Sequence, residues 1–81
     1  MPYHEFVWTR RSIEKVTDNG LDVSDVEYVV LNATGVPMES RSSGRPMYTG
    51  LTRSNERIAV VFEELDATRI LIVTAFRIDE R

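Results

Sequence analysis

The sequence predicts an α+β domain with a short first strand, two helices on one face of a sheet, and then a four-stranded antiparallel meander. Three observations carry this expectation. Capping residues bracket two helical stretches, period-two patterning then holds from Val36 until Asp79, and the connections between the later strands are short enough to demand antiparallel pairing. With 81 residues, 42% of them hydrophobic and 28% charged, one core and a single domain over 1–81 are expected. A domain of this size hides only about 60–65% of the surface its unfolded chain exposes, which leaves little room for a deep pocket.

Residues 3–8 alternate in the manner of a short strand, with Tyr3, Glu5 and Val7 against His4, Phe6 and Trp8. Thr9 then offers an N-cap oxygen, and Trp8 and Ile13 stand where a hydrophobic staple pairs them. The first helix is expected over 10–19. Gly20 ends it in the left-handed conformation, with Leu21 folding back on Val16. Ser24-Asp25-Val26-Glu27 reads as a capping box for a second helix from Asp25 to about Leu31, with Val26, Val29 and Val30 on one face. Valine is a mediocre helix former, so packing must hold this helix.

After Asn32, Thr34 and Gly35, four strands are expected over 36–41, 46–52, 56–64 and 69–78, with turns at Ser42-Ser43-Gly44, Ser54-Asn55 and Asp66-Ala67. The last two strands are apolar on both faces and belong in the middle of the sheet, whereas Pro37 and Pro46 mark an edge or strand ends. Val60, Phe62, Ile70, Ile72, Val26 and Val29 are the expected core.

Composition excludes several chemistries. There is no cysteine, which removes disulfides, zinc ribbons and thiol catalysis, and the lone His4 rules against a histidine-rich metal site. The longest apolar run, from Ile58 to Phe62, is far short of a membrane span, and the first six residues lack the apolar core of a secretory signal. A reducing cytoplasm is the expected compartment. Net charge is −3, yet its distribution is uneven: residues 13–38 sum to −4 and residues 39–57 to +2. Nine of the ten basic residues are arginine, the side chain suited to bidentate phosphate contacts.

The segment Arg41-Ser-Ser-Gly-Arg45 has the make-up of a phosphate cradle, with two hydroxyls, a glycine-permitted turn and two guanidinium groups. It equally suits a plain hairpin turn with solvated arginines. Tyr48, Arg53 and Arg57 extend the case if strand register brings them to the same face. His4 is the natural candidate for proton transfer near neutrality, and Lys15, the single lysine, is a candidate phosphate contact; a solvated terminus and a solvated helix face are the plain alternatives. Glu63 and Glu64, adjacent on a strand, point to opposite faces and make no simple carboxylate pair. Ser12 and Ser24 lack a nucleophile elbow, and the stretch from Gly44 to Gly50 lacks the lysine and hydroxyl of a nucleotide-hydrolysing loop.

The order of elements, together with Phe6-Val-Trp8, Gly20-Leu-Asp-Val23, Gly44-Arg45-Pro46, Ala59-Val60-Val61-Phe62 and Val73-Thr74-Ala75, resembles the BrnT-like toxins. These are small RelE-fold ribonucleases of bacterial type II toxin–antitoxin modules. The resemblance implies a RelE-like fold, an endoribonuclease activity that needs no metal or other cofactor, and RNA and an antitoxin protein as partners. For such chemistry this chain's own candidates are Arg45, Arg41, His4 and Lys15 as catalytic residues and Arg41, Arg45, Tyr48, Arg53, Arg57 and Arg77 as RNA contacts. The chain departs from the family pattern at Ser12, Asp18-Asn19 and Phe76, where basic residues are usual. A second reading follows from those departures: a non-catalytic binding or regulatory module on the same fold.

Overall fold

The computed structural model describes residues 5–33, 37–39 and 44–78. Its elements are β1 (Glu5–Val7), α1 (Arg10–Asp18), α2 (Val23–Leu31), β2 (Met38–Glu39), β3 (Pro46–Leu51), β4 (Arg57–Glu64) and β5 (Arg69–Arg77). The strands form one five-stranded sheet in the order β1-β5-β4-β3-β2. The expected meander is present as β2 to β5, each antiparallel to the next, but the sheet is mixed because β1 adds to the outer side of β5 in parallel. The two helices between β1 and the meander supply the long connection that parallel pairing at that edge requires.

Thr9 caps α1: its hydroxyl accepts from the Ser12 amide at 3.1 Å, and the Ser12 hydroxyl accepts from the Thr9 amide at 2.9 Å. The helix ends in a Schellman motif, with Gly20 N–H donating to Thr17 and Leu21 N–H to Val16. α2 begins earlier than expected, at Val23, with Asp22 as the N-cap in place of Ser24. Asp22 caps as well as serine does, and it directly follows Leu21, which is anchored in the core, so the chain turns from one helix straight into the next. The Asp25 carboxylate accepts from the Asp22 amide at 3.1 Å.

Both helices cover the same face. Val16, Leu21, Val26, Val29 and Val30 pack against Tyr48, Ile58, Val60, Phe62, Ile70, Ile72 and Ala75, and all six expected core residues are buried. β4 and β5 lie inside the sheet, which explains their apolar residues on both faces. Among the described residues, no helix is long and apolar enough to cross a membrane.

Gly20 is required by its backbone conformation, with φ at +76°. A Cβ there would stand 2.9 Å from Nη1 of Arg77, the end of a flexible side chain. Gly20→Ala is expected to cost about 1 kcal/mol or more. A lower urea midpoint with an unchanged slope is the readout.

The β4–β5 turn is held by Asp66. Its carboxylate accepts from the Thr68 and Arg69 amides at 2.9 and 3.0 Å and from Nε of Arg69 at 2.8 Å. These bonds, the Thr68 amide foremost, lower its pKa from 3.8 to about 2. A depressed carboxylate pKa stabilises the fold fully above the unfolded value and loses that contribution as pH falls through the folded one. The Asp66 carboxyl is therefore expected to titrate near 2 by NMR, and Asp66→Asn to flatten the loss of stability between about pH 4 and pH 2.

Candidate functional site

α1 packs against β5, and a cleft of about 380 Å³ opens beside their contact. One wall is the first turns of α1, where Arg11 and Lys15 are four residues apart and so share a helix face. The other wall is the sheet: Leu71, Ile72 and Val73 of β5, Glu63 of β4, and Arg45 just before β3. A register shift between β4 and β5, which leaves Val73 as the extra residue on β5, bends that strand where it lines the cleft.

Arg45 and Glu63 form an ion pair, Nε to Oε1 at 2.8 Å, with both side chains about 43% exposed. The cleft is thus lined by three cations, Arg11, Lys15 and Arg45, and one carboxylate, Glu63, in a chain of net charge −3. Such a site suits a group carrying negative charge that also has a proton to give up. Ser12 lies in the same wall but is buried and committed to the helix cap; its hydroxyl donates to the Thr9 carbonyl at 3.0 Å.

The structure brings together only part of the expected site. Lys15 and Arg45 line one cleft. Arg53 and Arg57 belong to the opposite end of the β3–β4 hairpin, since the six residues from Glu63 to Arg57 span about 20 Å. Arg53 stacks over the Tyr28 ring of α2 at 5.1 Å. Arg77 sits where α1 ends: it donates to Glu56 at 2.6 Å and to the carbonyls of Asn19 and Gly20 at 2.8 and 3.1 Å. The hydrogen bond it donates to Glu56 raises its pKa further and favours the charged form. Tyr48, expected among the RNA contacts, is instead core: only 7% exposed, it faces the helices and stacks on Phe62 at 5.3 Å. Burial, with Glu64 adding to it, raises the pKa of its phenol. Register explains the displacement, because Tyr48 lies opposite Val60 and shares its inward face. His4 and Arg41 lie outside the described residues.

Arg11 and Glu63 are the site residues that the sequence reading omits. The signal for Glu63 is in the hairpin turn. Asn55 has φ +65°, the left-handed third residue of a three-residue loop, and with Leu51 thereby opposite Arg57 the pairing continues outward to bring Arg45 against Glu63. Arg11 is legible from its spacing to Lys15, once α1 is known to lie along β5.

No family model matches the chain, and no curated protein matches it. The structure is similar to the crystal structure of the Brucella abortus ribonuclease toxin BrnT, with a TM-score of 0.70 at 19% sequence identity, covering 94% of this chain and 97% of that one. Two helices and a five-stranded mixed sheet superpose over nearly the full length of both proteins, so this chain is built on the BrnT-like fold.

Proposed function

We propose that the protein is a toxin-type ribonuclease that cuts RNA by internal attack of a ribose 2′-hydroxyl, with the scissile phosphate held in the cleft between α1 and β5. The lining of one cleft by Arg11, Lys15, Arg45 and Glu63 carries this reading, and the likeness to a ribonuclease toxin supports it. Glu63 takes the proton of the 2′-hydroxyl as that oxygen bonds to phosphorus. Arg45, already paired with Glu63, orients the carboxylate, and together with Arg11 it faces the charge that develops on the non-bridging oxygens. Lys15 gives a proton to the departing 5′-oxygen. The products are a 2′,3′-cyclic phosphate and a 5′-hydroxyl, and the protein groups suffice for each proton transfer.

His4 and Arg41, expected as catalytic, have no assigned step in this scheme. The toxin reading also implies an antitoxin as a protein partner and action in the cytoplasm, where messenger RNA is the substrate.

The test is incubation of purified protein with short RNAs, followed by analysis of the product ends. Cyclic phosphate and 5′-hydroxyl ends that persist in EDTA, and that vanish when the attacking ribose carries a 2′-O-methyl group, are the expected result. Salt-dependent binding with no cleavage would instead favour a non-catalytic binding module. Absence of both would overturn the cleft as a phosphate site.

A further inference from the structure

α1 carries two of the cleft's cations yet has little apolar anchorage. Of its nine residues Ser12 and Val16 are buried, the Ser12 hydroxyl is committed to the N-cap, and Ile13 is 39% exposed. Its N-terminal end is held all the same. Trp8 and Thr9 follow directly on β1, Nε1 of Trp8 donates to Glu27 at 3.0 Å, and Thr9 caps the helix.

The C-terminal end of α1 is held by polar contacts. Asn19, its C-cap, donates from Nδ2 to the carbonyl of the buried Ala75 in β5 at 2.8 Å. β1 stops pairing opposite Leu71, so the Asn19 amide serves a carbonyl that β1 does not reach. Arg77 bonds the carbonyls of Asn19 and Gly20, and Glu56 fixes its guanidinium through Nε. Arg11, Lys15 and Asn19 are spaced by four, so the two cleft cations and the tethered residue lie along one stripe of the helix. Lys15 is one turn from the tether, about 6 Å along the axis, whereas Arg11 is about 12 Å from it and close to the N-cap.

We propose that Asn19, Arg77 and Glu56 form a latch that positions Lys15 as the proton donor to the departing 5′-oxygen. The inference rests on the ribonuclease reading of the cleft and adds positioning residues that lie outside it. The Lys15 ammonium ends a flexible stem, so the helix backbone decides which part of the cleft it reaches. Opening the latch frees the last turn of α1 to swing from β5. Arg11, near the fixed end, and the Arg45–Glu63 pair on the sheet stay in place. The loss therefore falls on protonation of the leaving group and not on attack by the 2′-hydroxyl.

The experiment compares single-turnover cleavage of a short RNA with that of the same RNA carrying sulfur in place of the 5′-oxygen at the scissile link. A thiol is far more acidic than an alcohol, so the sulfur departs as a thiolate and needs no proton. Lys15→Ala is expected to slow the oxygen substrate by about 10²-fold or more and the sulfur substrate little. Arg77→Ala and Asn19→Ala are each expected to slow the oxygen substrate by about 10- to 100-fold and to leave the sulfur substrate nearly unchanged. The double variant Lys15→Ala/Arg77→Ala is expected to be no slower than Lys15→Ala alone. Urea denaturation of the same preparations shows that each assayed variant is folded.

Equal slowing of both substrates by Arg77→Ala and Asn19→Ala, or a double variant slower than Lys15→Ala, would make the latch a plain stabilising contact and overturn the proposal. Unchanged cleavage of both substrates would overturn it too, and in each case the ribonuclease reading stands. Failure of the wild-type protein to cleave the oxygen substrate would overturn that reading and the role of the latch with it.

Discussion

Phe62→Ala is expected to unfold most of the protein at room temperature. Phe62 is fully buried, its ring stacks on Tyr48 with an interplanar angle of 22°, and it lies in β4, which pairs on both sides. Removing a buried phenyl ring costs about 3–5 kcal/mol in lost transfer energy and residual cavity. A chain of this length has about 4–12 kcal/mol of stability in total. Collapse around the gap is restricted because the helix side of the cavity is formed by short β-branched valines with little rotamer freedom. Circular dichroism and urea denaturation report the outcome, and a midpoint close to wild type would mean that Phe62 is not the centre of the core.

Glu63→Gln is expected to lower RNA cleavage by about 10² to 10⁴ with nearly wild-type stability. The amide keeps the size and one acceptor oxygen of the carboxylate but has no affinity for the 2′-hydroxyl proton. The lost ion pair to Arg45 is half-exposed and contributes only about 0–1 kcal/mol, so folding is a poor explanation for any large effect. Arg45→Ala is expected to reduce cleavage by about 10² to 10³, because it removes both the group that orients Glu63 and one that meets the developing phosphate charge. The double variant should fall little further than Glu63→Gln alone, since the two act as a unit. Single-turnover cleavage with urea denaturation on the same preparations separates these effects. Full activity in Glu63→Gln would remove Glu63 as the base.

Local chemistry made much of the fold legible. Thr9, Gly20 and Leu21 mark the ends of α1 through bonds that involve only their neighbours, and the double-sided apolar runs of β4 and β5 announce their interior position. The start of α2 was less legible because Asp22 and Ser24 are equivalent as caps, and the anchoring of Leu21 decided between them. The same limit applied to the site. A concentration of arginine between residues 39 and 57 suggests one basic patch, but a hairpin carries its residues in opposite directions from its turn. Arg45 consequently lines one cleft with Lys15 and Arg11, while Arg53 and Arg57 stand about 20 Å away.

Sequence alone determined what depends on short-range spacing: both ends of α1, the turns at Asn55 and Asp66, the identity of the core and the absence of thiol chemistry. Only tertiary structure decided the parallel pairing of β1 with β5, the inward face of Tyr48, the use of Arg77 to hold the end of α1, and the pairing of Glu63 with Arg45 in a cleft that Arg11 and Lys15 also line. The physical reason is that each of these joins residues far apart in the chain. Pairing register and helix placement set such contacts through the packing of the whole core, and a shift of one residue in the register of β3 would turn Tyr48 out of the core and Arg45 away from Glu63.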